Sequence, residues 1–189
     1  AVLNRLNLTS EKAELLATFY VDLVGTNPEN LTGTITAEGF HYCEGGRDLH
    51  VPNLAIDVKR GKRGTDQIDE FVLTSNVVNA SIKGKVNFDH LIGNLDYQLS
   101  RIVPSLFKRN VLADRTHTTD NFEYSFNAQD PDDFLAIFAP DLRISKNTSI
   151  NGHYYGESSN FVMKLTSDFV SYQDYKLDSI VADQRLDSN

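Results

Sequence analysis

Cys43 is the only cysteine in the 189-residue sequence, so no internal disulfide can cross-link it, and cysteine usage leaves the redox compartment open. Basic residues are scarce too. Eighteen Lys and Arg stand against 26 Asp and Glu, giving a formal charge of −8, which argues against a nucleic-acid partner because neutralising phosphates takes a basic surface. The same sign disfavours attachment to anionic lipid headgroups through charge alone. Long apolar runs are missing as well: no stretch reaches the length of a membrane-spanning helix, and residues from Ala1 onward lack a signal-peptide pattern. The expectation is a chain processed or cut from a longer one.

The constellations that carry chemistry are equally sparse. Five histidines (His41, His50, His90, His117 and His153) are scattered singly and share no metal-ligand spacing. His41 and Cys43 would share one face of a strand, yet no third ligand stands near them in sequence. Asp130, Asp132 and Asp133 resemble half of a calcium loop, but its glycine and distal glutamate are missing. No phosphate-cradling glycine loop, nucleophile elbow or Ser/His/Asp arrangement occurs. The reading is a chain without catalytic residues, metal or cofactor.

What is abundant is alternation. Hydrophobic residues make up 40% and charged residues 23%, the proportions of an ordinary folded domain. From Ala80, the residues Ile82, Gly84, Val86 and Phe88 fall on one face, with Ser81, Lys83, Lys85 and Asn87 on the other. Period two is the mark of a half-buried strand. Leu15, Ala17, Phe19, Val21 and Leu23 share a face in residues 12–24; the opposite face, with Leu16 and Tyr20, is itself partly apolar and expected to be covered. Further strands are predicted at 32–42, with Gly33 and Gly39 as bends or bulges, at 49–59, and at 120–129 with Phe122, Tyr124 and Phe126 on one face. Strands over 142–145, 148–156, 160–168 and 170–183 follow. Residues 60–64, Arg-Gly-Lys-Arg-Gly, read as a basic hairpin loop, either an anion contact or a solvated turn.

Two helices interrupt this pattern. Leu91, Leu95, Leu99 and Ile102 are spaced by three or four and form one stripe of an amphipathic helix over 89–103, which Pro104 ends. The second is short: Asp130 is expected to cap it, Pro131 to sit at its first helical position, and Phe134, Leu135, Ile137 and Phe138 to supply its buried side. A motif also recurs. Leu73-Thr74-Ser75-Asn76-Val77-Val78 returns as Leu165-Thr166-Ser167-Asp168-Phe169-Val170, and both copies are placed at strand-to-strand corners. Short polar connections make the strands antiparallel. Two short helices cannot cover so many one-sided strands, so the residues alone leave either an open trough or a sandwich of two sheets.

Residues 74–103 and 120–175 resemble the TamB proteins of Bacteroidetes-type bacteria, the translocation and assembly module proteins of the AsmA-like group. Leu73 to Phe88 with the helix after it carries this, as do Phe126-Asn127-Ala128-Gln129-Asp130-Pro131, Phe138-Ala139-Pro140-Asp141-Leu142-Arg143-Ile144-Ser145 and Thr148-Ser149-Ile150-Asn151-Gly152. These blocks span roughly half of the chain. The resemblance implies a mainly β, antiparallel, curved open sheet forming a hydrophobic groove (β-taco-like), with the two amphipathic helices beside it. It implies a single internal segment over 1–189, with a finer division into 1–107 and 120–189 joined by a polar linker. It implies a periplasmic location in the cell envelope, the full-length protein being anchored in the inner membrane outside this segment. The function implied is shelter of phospholipid acyl chains during transport toward the outer membrane, with outer-membrane assembly proteins as further partners. On this reading Leu15, Ala17, Phe19, Val21, Ile82, Val86, Phe122, Tyr124, Phe126, Phe161, Met163 and Leu165 line the lipid groove. Leu91, Leu95, Leu99 and Ile102 then cover it. The alternative is a β-sandwich binding or scaffold module for glycan or protein partners in the envelope.

Overall fold

The structure is a computed structural model and describes residues 13–26, 30–63, 66–87, 119–158 and 160–186. The helix expected over 89–103, with Leu91, Leu95, Leu99 and Ile102, lies outside the described residues, as do residues 1–12. The chain is mainly β. Its strands are β1 (Ala13–Val24), β2 (Thr32–Glu44), β3 (Arg47–Arg63), β4 (Asp66–Ser75), β5 (Val78–Lys85), β6 (Asn121–Ala128), β7 (Leu142–Ile144), β8 (Ser149–Tyr155), β9 (Asn160–Tyr172) and β10 (Tyr175–Leu186). One short helix, α1 (Asp132–Phe138), separates β6 from β7. All ten strands join one curved, open, antiparallel sheet in the order β1-β2-β3-β4-β5-β6-β8-β9-β10, with β7 beside β9. A sandwich of two sheets is therefore not the arrangement of the described residues. Strands from either side of residues 88–118 pair directly, from Val78 with Ala128 to Lys85 with Asn121.

The pairing register shifts at one place. Between the pairs Leu16–His41 and Thr18–Glu38, β2 holds one residue more than β1. Gly39 absorbs it with φ of +60°, a left-handed conformation that a side chain would strain. The slip moves Phe40 and Tyr42 onto the same face as Ala37. On β3 the same change of phase lets Val51 and Leu54 pack into one cluster with Tyr42, Leu49 and Val77. Gly33 pairs in register with Leu23 and Val58 while holding a φ of +130°, where a Cβ would strike the Asp22 carbonyl.

Several local expectations are corrected. β3 runs through Arg63, so the basic stretch is largely strand and not a loop. Arg60 is neither a free anion contact nor a solvated turn residue: its Nη1 lies 2.7 Å from Oδ2 of the buried Asp69, and its Nε donates to the Leu31 carbonyl at 2.9 Å. Asp130 makes no cap for α1, whose N-cap position is Pro131; its carboxylate instead meets Lys146 at 2.9 Å. Phe134 is exposed, and Leu135 and Ile137 face inward. Leu16 and Tyr20 are exposed, not covered.

The repeated motif also behaves differently in its two copies. Ser75 closes a true corner, since its Oγ donates to the Val78 carbonyl and accepts from the Val77 and Val78 amides. Ser167 lies inside the uninterrupted β9, and the turn falls later, at Gln173 and Asp174. Around Ser167, β9 exchanges one neighbour for another, pairing with β8 up to Thr166 and with β7 from Val170. Buried hydroxyls of Ser145, Thr148 and Ser167 fill the gap, 2.6–3.1 Å apart. In both copies the serine hydroxyl satisfies backbone groups that the ladder leaves open, at a turn in one and at a change of partner in the other.

Candidate functional site

Residues directly opposite in an antiparallel pair point to the same side of the sheet. Following these pairs from edge to edge gives Val21, Ile35, Ile56, Leu73, Ala80, Phe126, Ile150, Leu165 and Ala182. Every one is apolar. The next row on the same side is Leu23, Gly33, Val58, Phe71, Ile82, Tyr124, Gly152, Met163 and Gln184, polar only at its far end. Between them, on the other side, run Asp22, Thr34, Asp57, Val72, Ser81, Ser125, Asn151, Lys164 and Asp183. That row is polar but for Val72. Its members bond to one another, Thr34 Oγ1 to Asp57 at 2.7 Å and Ser81 Oγ to Ser125 Oγ at 2.7 Å. Nine strands about 4.8 Å apart make the apolar stripe roughly 40 Å long.

The stripe is not uniform. Phe122, Tyr154, Phe161 and Met163 are buried together, with Ile82, Val86, Tyr124 and Ile150 against them. Each large side chain fully buried in this way contributes roughly 1.5–3 kcal/mol. Gly152 makes the cluster possible. A Cβ there would collide with the Tyr124 ring and the Val162 carbonyl, so the missing side chain is the slot in which that ring lies. The Tyr124 ring reaches over β8, stacks on Phe161 with centroids 5.4 Å apart, and donates its hydroxyl to the Val162 carbonyl at 3.0 Å. Burial pushes the Tyr124 phenol well above the ordinary tyrosine range. Arg60 and Asp69 occupy the same side in the adjoining row, where mutual neutralisation makes their burial tolerable. At the other end of the strands α1 crosses over β3, placing Ile137 on the cluster of Ala13, Tyr42, Leu49, Val51 and Val77. Arg47 Nη1 ties it down by donating to the Ala136 carbonyl.

All twelve residues expected to line a groove lie on this one side of the sheet, in three settings. Phe122, Phe161 and Met163 are buried; Leu15, Ala17, Ile82, Val86, Tyr124, Phe126 and Leu165 are half-buried; Phe19 and Val21 are 51% and 62% exposed. Sequence reasoning missed Ile35, Ile56, Leu73, Ala80, Ile150 and Ala182 as members of the apolar row, Tyr154 in the buried cluster, and Gly152 as the slot. The alternation of Ile150, Gly152 and Tyr154 carried that signal. His41 and Cys43 share a face, but His41 Nε2 meets Asp48 at 3.0 Å, and the hydrogen bond to Asp48 raises the Cys43 thiol pKa. No group of three or more metal-ligating side chains occurs among the described residues.

No protein-family model, curated protein or solved structure matches this chain.

Proposed function

We propose that the apolar face shelters lipid acyl chains, and that this chain is a periplasmic segment of a TamB/AsmA-like envelope protein. In that role it carries phospholipid toward the outer membrane and serves outer-membrane assembly, without catalysis. The observation that supports this most is the unbroken apolar row from Val21 to Ala182, backed by a hydrogen-bonded polar row. Exposing a methylene to water costs about 0.8 kcal/mol, so a path that keeps each one covered lowers the barrier at every step. Apolar contacts have no direction. A chain can therefore advance along the stripe without breaking a specific bond each time.

Adjacent residues on β1 supply the test. Val21 and Tyr20 are similarly exposed, at 62% and 55%, but belong to opposite faces. A photo-crosslinking amino acid at Val21 is expected to capture lipid in cells, and the same residue at Tyr20 is not. Equal labelling, or a folded segment that captures none at Val21, would sink the proposal. A second reading draws on Leu16, Tyr20 and Val24, all exposed on the polar side of β1. A scaffold or binding module would use them, and then Tyr20 would capture protein or glycan while Val21 stayed unlabelled.

A further inference from the structure

A cleft of about 860 Å³ opens where β5, β6 and β8 end. Side chains from both faces line it: Lys83, Lys85, Glu123 and His153 from the polar one, Phe122 from the apolar one. The register orders the charges. Glu70, Lys83, Glu123 and His153 stand opposite one another across four strands, with Lys85, Asn121 and Tyr155 in the row beyond. Lys83 meets Glu70 at 3.5 Å, whereas Lys85 has no ion-pair partner among the described residues. Beneath lies Asp120, only 3% exposed. Its Oδ1 accepts the Asn87 amide at 2.8 Å, and its Oδ2 has no hydrogen-bond partner among the described residues. Burial lowers the His153 pKa, so the imidazole adds no positive charge near neutral pH.

We propose that this cleft receives a zwitterionic phosphodiester headgroup bearing a primary ammonium, an inference that rests on the acyl-chain reading of the adjoining face. The phosphate meets Lys85 and Lys83. The ammonium turns to Glu123 and to the negative potential of Asp120. A purely anionic headgroup would face the carboxylates of Asp120, Glu123 and Glu157, and a simple cation would face the two lysines. A quaternary ammonium gives no N–H to a carboxylate and wants an aromatic cage, whereas the cleft wall offers Tyr155 with His153 stacked on it at 3.9 Å. Phe122 joins the two sites, because it lines the cleft and also packs with Tyr154 at a centroid distance of 5.4 Å.

The test compares short-chain phosphatidylethanolamine with phosphatidylglycerol of identical tails, and with O-phosphoethanolamine, which has none. The chain is expected to prefer the ethanolamine lipid by about fivefold, near the limit for one exposed charge pair. Glu123→Lys, at an exposed position, should abolish that preference, and Lys85→Glu, also exposed, should weaken both lipids alike, each leaving tail binding intact. Equal affinity for both lipids overturns the headgroup site and leaves the acyl-chain reading standing. Binding of O-phosphoethanolamine with no gain from tails keeps the headgroup site and sinks the acyl-chain reading. If no probe binds, both fall.

Discussion

The edge strand β1 and the aromatic block across β6, β8 and β9 belong to the same side of one sheet, yet they use apolar residues in opposite ways. In the block, Phe122 and Phe161 are 2% exposed, and rings lean across intervening strands. On β1, Phe19 and Val21 stand largely in water. One region spends its apolar area on its own stability and the other keeps it available. A face that holds hydrocarbon needs both, since a sheet without a packed region does not hold its shape and a fully packed one has nothing left to bind.

Truncation in the block is the strongest way to break this comparison. Phe161→Ala should cost about 3–5 kcal/mol, read as a lower denaturant midpoint, because the lost ring leaves Tyr124 unstacked above a cavity. Gly152→Ala comes next. The added methyl displaces the Tyr124 ring from its slot, and a loss of about 1–3 kcal/mol is expected with altered near-ultraviolet tyrosine dichroism. His153 contributes less, and through pH. Its folded pKa lies below the ordinary value of 6.5, chiefly from burial. As pH falls through about 6.5 the unfolded chain binds a proton that the folded imidazole resists, so stability drops until the folded value is passed. His153→Gln should flatten that part of a melting-temperature profile against pH. Smallest of all is Phe19→Ala, which should change stability by no more than about 0.5 kcal/mol while reducing lipid capture at the neighbouring Val21. A loss as large as that of Phe161→Ala would erase the distinction between the two regions.

Much of the fold was legible because strands announce themselves locally. The alternation at 12–24, at 80–88 and around Phe122 depends only on the pleat, and β1, β5 and β6 lie where it points. Readings that depended on a neighbour fared worse. The basic stretch looked like a loop because nothing local reveals that Arg60 will face Asp69. Ser167 looked like a corner because a change of partner and a turn need the same hydroxyl. Asp130 looked like a cap because Lys146, sixteen positions later, could not be seen beside it. The candidate site divides in the same manner: Tyr124 was visible as an inward residue, and its slot at Gly152 was not.

Period-two patterning dictated which side chains of each strand share a side, since the pleat is a property of the strand alone. Whether nine such sides would align was decided between strands, by turn positions, by the extra residue at Gly39 and by Tyr124 reaching over β8 to Val162. A slip of one residue at any pairing would have turned the stripe to the polar side there, and turn geometry together with the contacts between paired strands opposes such a slip.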